Sequence, residues 1–209
     1  VPSGDDQSYL ETERALGIPV VFADRPGSRF TADTVVSENA AGTGEAVRHL
    51  ATRGHSRIAY LGDIETIYTA GQRLAGYRAA MSRIGAAHGE RYLRTGLHDS
   101  TGAYAAAREV FALDPAPTAL ITGNNLITIG AVHALQDLGL RERIAFVAFD
   151  DLVLADLLGP ALTVVAQDTA AIGTEAVTRL FERLREPTAA FARTSIPVRL
   201  IPRGSGEIP

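Results

Sequence analysis

Polar residues recur at one kind of place in this sequence. The apolar run IAFVAF ends in the adjacent carboxylates Asp150 and Asp151, and LTVVAQ ends in Gln167, followed by Asp168. IPVVFAD ends in Asp24, and PTALITG is followed by Asn124 and Asn125. A continuous apolar run such as IAFVAF reads as a strand buried on both faces, which belongs in a parallel sheet. In open parallel sheets ligands bind beyond the carboxyl ends of the strands, so function is expected at these positions. Arg73 adds a guanidinium in the helix after the strand RIAYLGD. It is expected in the first turn, off the apolar stripe, where its charge opposes the helix dipole by a few tenths to about 1 kcal/mol. Carboxylates, carboxamides and one guanidinium form a set of donors and acceptors without a nucleophile. Such a set suits a neutral polyhydroxylated ligand, whose hydroxyls both give and accept hydrogen bonds.

Each of these residues also has a plainer use. Asp150, Asp151 and Asp168 can cap the helices that follow, and one member of each pair is expected to cap while the other is free for a ligand. Asn124 or Asn125 can be a cap or a turn residue, and Arg73 can simply be solvated. Catalytic patterns are weak. The five histidines, at 49, 55, 88, 98 and 133, show no metal-binding spacing. His49 and His55 flank a helix end, which favours a structural role. There is no GxSxG elbow and no GxxxxGK[ST] loop, and GTGEAV (42–47) lacks the third glycine of a dinucleotide fingerprint in register. The chain is therefore read as a binding module and not an enzyme, with no cofactor and no metal.

Composition narrows the partners. At 209 residues, 46% hydrophobic and 21% charged, the chain can build one large or two small soluble domains. A net charge of −4 argues against DNA, phosphate-rich or anionic-membrane partners for this chain by itself. Zero cysteines exclude disulfides and thiolate metal sites and fit a cytoplasmic location. No apolar stretch reaches membrane-spanning length, and the opening VPSGDDQSYLE lacks the features of a signal peptide.

The elements that must position the polar residues alternate in type. Strands are expected at 18–24, 57–63, 92–95, 117–123, 143–149, 162–167 and 195–202. Helices are expected at 42–54, 70–85, 101–112, 125–138, around 152–158, and at 169–185. This alternation predicts an α/β fold with parallel sheets and right-handed crossovers. The 70–85 helix carries the stripe Leu74, Tyr77, Met81 and Ile84, spaced three and four apart. Pro197 suggests an edge strand, and 25–33 reads as a flexible surface loop. VPSGDD looks like the end of a strand, so the chain reads as a fragment. The 125–138 helix and the RLAGYRAA helix carry more apolar residues than one sheet face is expected to need, which predicts self-association.

The order GIPVVFADRP, RGHSRIAYLGD, QRLAGYRAAM, PTALITGNNLITIGAVHALQDLGL, IAFVAFDD, LTVVAQD and VRLIPRGS resembles the effector-binding domain of the LacI/GalR family of bacterial transcriptional regulators, from about residue 17 to the end. The resemblance implies a periplasmic-binding-protein-like α/β fold: two Rossmann-like subdomains with parallel sheets, three crossovers, and a small sugar-like effector held between them. It implies an incomplete N-terminal subdomain of 1–37 plus 168–196 and a C-terminal subdomain of 38–166 plus 197–209. The two strand–helix units and the helix-turn-helix domain that precede VPSGDD in the family are absent from this sequence. Ligand contacts are implied for Asp24, Thr69, Arg73, His98, Asn124, Asp150 and Gln167. Asn125 stands where the family has an aspartate. The resemblance also implies a homodimer that reaches operator DNA only through the absent domain. A periplasmic sugar-binding protein of a transporter, which shares the fold, is the alternative. Arg73 is expected to contact ligand without contributing to stability, with Asp150 as its acidic neighbour.

Overall fold

The computed structural model describes residues 1–2, 4, 6–86 and 89–209. His88, Ser3 and Asp5 therefore lie outside the described residues. Along the chain run α1 (Leu10–Ala15), β1 (Val21–Ala23), β2 (Asp33–Ser37), α2 (Asn39–Ala51), β3 (Ile58–Leu61), α3 (Tyr68–Arg83), β4 (Leu93–Arg94) and α4 (Ser100–Phe111). They are followed by β5 (Ala119–Thr122), α5 (Asn125–Asp137), β6 (Ala145–Phe149), β7 (Thr163–Gln167), α6 (Thr169–Arg185), β8 (Arg193–Ile196) and β9 (Val198–Ile201). The chain divides into two compact units, Val1–Glu38 with Asp168–Pro197, and Asn39–Gln167 with Val198–Pro209.

The second unit is built on a sheet of order β4-β3-β5-β6-β7-β9, parallel except for β9, which runs antiparallel to β7. Its central strands β3, β5 and β6 are almost wholly apolar and buried because both faces are covered. Ile58, Tyr60, Ile121, Val147 and Phe149 pack with α2 and α3, while Ala59, Leu61, Leu120, Phe146 and Ala148 pack with α4 and α5. The helices on each face cross at glycine. A Cβ on Gly76 of α3 would stand 2.2 Å from the Ala40 carbonyl oxygen of α2, and one on Gly130 of α5 would stand 2.2 Å from that of Ser100 in α4. Any side chain at either position would push the paired helices apart.

In the first unit, β1, β2 and β8 form a parallel sheet in that order, with α6 packed on β1 and β2. Two elements here are not visible in the sequence pattern, α1 and β2. Every residue of β2 is buried. The supposed flexible loop 25–33 is partly core, since Phe30 packs edge-on against Phe22 with ring centroids 6.0 Å apart. Asp33, 3% exposed, is gripped by Arg183, whose Nε and Nη2 donate to it at 2.8 and 3.1 Å, and by the Ala192 N–H at 2.8 Å. Burial alone would raise the Asp33 carboxyl, but these hydrogen bonds and the Arg183 charge hold it below the usual range.

The closing run 195–202 is two strands and not one. β8 pairs with β2, β9 pairs with β7, and Pro197, which has no N–H to give either ladder, falls between them. Both are edge strands. The described residues of VPSGDD form no strand. The stripe on α3 is also shifted: Leu74, Tyr77 and Met81 are buried, whereas Ile84 lies past the helix end and is 39% exposed. On α5 the exposed large apolar residue is Leu126.

Residues 205–208 are tied down at the amino ends of β5, β6 and β7 in the second unit. Ser205 Oγ donates to the Phe146 carbonyl at 2.6 Å and accepts from the Thr163 N–H. Glu207 accepts from Thr163 Oγ1, from the Gly204 N–H and from His49 Nε2. Burial alone would raise the Glu207 carboxyl, but these three donors hold it below its ordinary value. His55 bridges Thr118 Oγ1 and the Ile208 carbonyl, 2.9 Å from each. Both histidines therefore have the structural role expected of them.

Candidate functional site

Strands β3, β5, β6 and β7 lie side by side, and at their carboxyl ends stand Asp63, Asn124, Asp150 and Gln167. Hydrogen bonds link them into a belt. Asn124 Nδ2 donates to Asp63 Oδ2 at 2.9 Å, and Gln167 Nε2 donates to Asp150 Oδ1 at 2.6 Å. Arg73 closes the gap in the middle. Its Nη1 donates to the Gly123 carbonyl at 2.6 Å and to Asp150 Oδ2 at 3.3 Å, and its Nε donates to Asn39 Oδ1 at 2.7 Å. The guanidinium also lies 3.8 Å from the Phe149 ring centroid, where the negative ring face attracts it.

The position of Arg73 corrects the expectation. α3 begins at Tyr68, so Arg73 is in its second turn, on the buried face with Ala70, Leu74 and Tyr77. The dipole penalty, confined to the first turn, does not apply. Arg73 is 5% exposed and is not solvated. A buried guanidinium is tolerated only when its charge and its donors are met, and Asp150, Gly123 and Asn39 meet them. Arg73 is thus a structural residue whatever else it contacts, and the expectation that it contributes nothing to stability is wrong. The expected pairing with Asp150 is present.

Asp150 itself adopts a left-handed backbone, φ 75°, at the end of β6, and its N–H donates to the Val165 carbonyl at 2.9 Å. Neither Asp150 nor Asp151 caps a helix, contrary to expectation. The segment after them forms one 3-10 turn, Ala155–Leu157, preceded by Leu154. Asp151 instead takes both Nη atoms of Arg203, at 2.6 and 2.7 Å, and these hydrogen bonds lower its pKa. In the other pair the expectation holds: Asp168 caps α6, accepting from the Ala171 N–H at 2.8 Å. Asn124 does two jobs, with Oδ1 capping α5 through the Ile127 N–H at 3.0 Å and Nδ2 facing Asp63.

The remaining candidates are more peripheral. Thr69 is half-buried in the first turn of α3. His98, exposed on the loop after β4, places Nδ1 3.2 Å from Asp63 Oδ1. Asp24 belongs to the first unit, at the end of β1, with φ 73° and its N–H on the Val35 carbonyl. The structure therefore gathers Arg73, Asn124, Asp150, Gln167 and His98 along one edge of the second unit, and Asp24 stands on the other unit. Two members of the belt were not singled out by sequence. Asp63 ends a strand like the others, and that signal was available. Asn39, 2% exposed at the start of α2, had none.

Comparison with known proteins places these features in context. The model of the periplasmic binding protein-like domain matches residues 47–206. The ribose operon repressor of Escherichia coli (strain K12) is 31% identical over 195 residues, covering 92% of this chain and 59% of the repressor. A regulatory protein of the LacI family from Chloroflexus aggregans superposes with a TM-score of 0.87 at 26% identity, covering 97% of this chain and 74% of that one. The complex of the transcriptional regulator CelR with cellobiose gives a TM-score of 0.82 at 29% identity, covering 91% and 59%. The chain thus spans about 59% of the length of the ribose repressors it matches.

Proposed function

This chain belongs to the LacI family of regulators and carries its periplasmic binding protein-like domain, and from that premise we propose that it is the module that senses a small, uncharged sugar or polyol and adjusts the DNA binding of a longer regulator. One observation carries the reading. The belt at the carboxyl ends of four adjacent strands offers carboxylate, carboxamide and guanidinium groups that are already oriented by one another. Groups fixed before the ligand arrives lose little freedom on binding it. Arg73, Asn124, Asp150 and Gln167 would receive ring hydroxyls, with Thr69 and His98 at the margin; Asp24, at the end of β1, is the further ligand residue that the family resemblance implies. Among the described residues, Nε and Nη1 of Arg73 are engaged inside the fold, which leaves Nη2 for a ligand oxygen.

The first unit would be the family's N-terminal lobe, incomplete in this chain. The exposed Val177, Phe181 and Leu184 on α6, and a β1 with one neighbour in its sheet, support that assignment. Regulation would follow from differential affinity: a ligand that binds one conformation better shifts the population, and the DNA affinity of a cytoplasmic homodimer shifts with it. Operator contact would be made by a domain outside this chain, whose own charge is −4. Ribose is the first ligand to try, given the similarity to ribose operon repressors. Calorimetric titration of D-ribose and other neutral sugars into the intact protein should give saturable binding. Arg73→Lys keeps the charge but loses the planar fork, and should weaken binding about tenfold or more. If no neutral pentose, hexose or disaccharide binds, the reading fails.

A further inference from the structure

Asp63 is the belt residue with the least obvious purpose. It caps no helix and pairs with no buried cation, yet its side chain is only 15% exposed. Its Oδ1 accepts from the Ile64 N–H at 2.7 Å and lies 3.2 Å from His98 Nδ1, and its Oδ2 accepts from Asn124 Nδ2 at 2.9 Å. Those contacts join two proposed ligand residues from different strands through one carboxylate. Asn124 is thereby held at both ends: its Oδ1 is committed to the Ile127 N–H, so the amide cannot flip without losing the cap as well as the contact with Asp63.

Charge gives the second half of the argument. Along the belt the cation Arg73 is matched by Asp150. Asp63 therefore adds a negative charge that the exposed His98, 3.2 Å away, offsets only when protonated. A neutral hydroxyl arriving here finds an acceptor. A phosphate or carboxylate finds a like charge, and juxtaposed like charges are strongly disfavoured in partly desolvated sites.

We propose that Asp63 is a specificity-determining residue, which orients Asn124 and His98 and makes this edge select uncharged sugars over phosphorylated or acidic ones. The proposal rests on the reading that this edge takes up a sugar-like effector, and the test separates the two. D-ribose and ribose 5-phosphate are titrated into the intact protein, Asp63→Asn and Asp63→Ala, and the side-chain amide signals of Asn124 are followed by NMR without ligand. Asp63→Asn keeps an acceptor and removes the charge. It should shift the preference for ribose over ribose 5-phosphate by about tenfold or more toward the phosphate. Asp63→Ala should move the Asn124 amide signals, while Asp63→Asn leaves them near their original positions. An unchanged preference in Asp63→Asn, or unmoved Asn124 signals in Asp63→Ala, would overturn the proposal. Wild-type protein that binds neither sugar would count against the effector reading, and the NMR comparison alone would then decide whether Asp63 positions Asn124.

Discussion

Asp24 and Asp150 occupy the same local setting. Each ends an apolar strand, each adopts a left-handed backbone, at φ 73° and 75°, and each gives its N–H to a carbonyl of the neighbouring strand. Their side chains differ completely. Asp150 holds Arg73 and Gln167, whereas Asp24 has no side-chain partner among the described residues. Backbone geometry at a strand end is thus a local matter, set by the run and its polar stop. Whether the carboxylate there is committed to the fold depends on residues far away in sequence, here a helix residue 77 positions earlier.

The largest test of this contrast is Asp150→Ala. It leaves the Arg73 guanidinium buried without its carboxylate and should cost about 3 kcal/mol of stability to urea. A loss below about 1 kcal/mol would place Asp150 on the same footing as Asp24. Replacing Arg73 and Asp150 together with apolar residues should recover part of that loss, because no unmatched charge remains. Double-mutant analysis of urea midpoints reads the recovery. Acid offers a milder probe in the first unit, where Asp33 plays the committed part. Its pKa is lower in the folded state, so its contribution is complete above the ordinary carboxylate range near pH 4 and is lost as pH falls through that range to the depressed value. Asp33→Asn should flatten this portion of the stability profile between about pH 5 and pH 2. The smallest effect is expected for Asp24→Asn, within about 0.5 kcal/mol of wild type in the same unfolding assay. If Asp24 serves only a ligand, sugar binding should fall while stability holds.

How much of this was legible in the sequence follows from the same distinction. The strand ends were legible because a parallel sheet covered on both faces forces uninterrupted apolar runs, and the polar residues that stop them are conspicuous. α6 could be placed at 169–185 because Asp168 caps it and its periodicity is long. The depth of Arg73 was not legible. Spacing showed that α3 has an apolar stripe but not how wide it is, and the buried face extends to Ala70, Arg73 and Ala80. β2 was hidden because DTVVS begins and ends in polar residues, and the buried Asp33 is met by Arg183 and the Ala192 N–H, 150 or more residues further on. The split at Pro197 was hidden because both halves, read singly, look like one edge strand.

The fastening of the closing turn has a practical side. Ser205, Glu207 and Ile208 reach four separate parts of the second unit through Phe146, Thr163, His49 and His55. Residues 205–208 therefore serve as a latch. A reporter or affinity handle fused directly after Pro209 would crowd the Ile208 carbonyl and the imidazole it meets. A spacer of several flexible residues would spare the latch, whereas trimming the last five residues to aid crystallisation would unhook it.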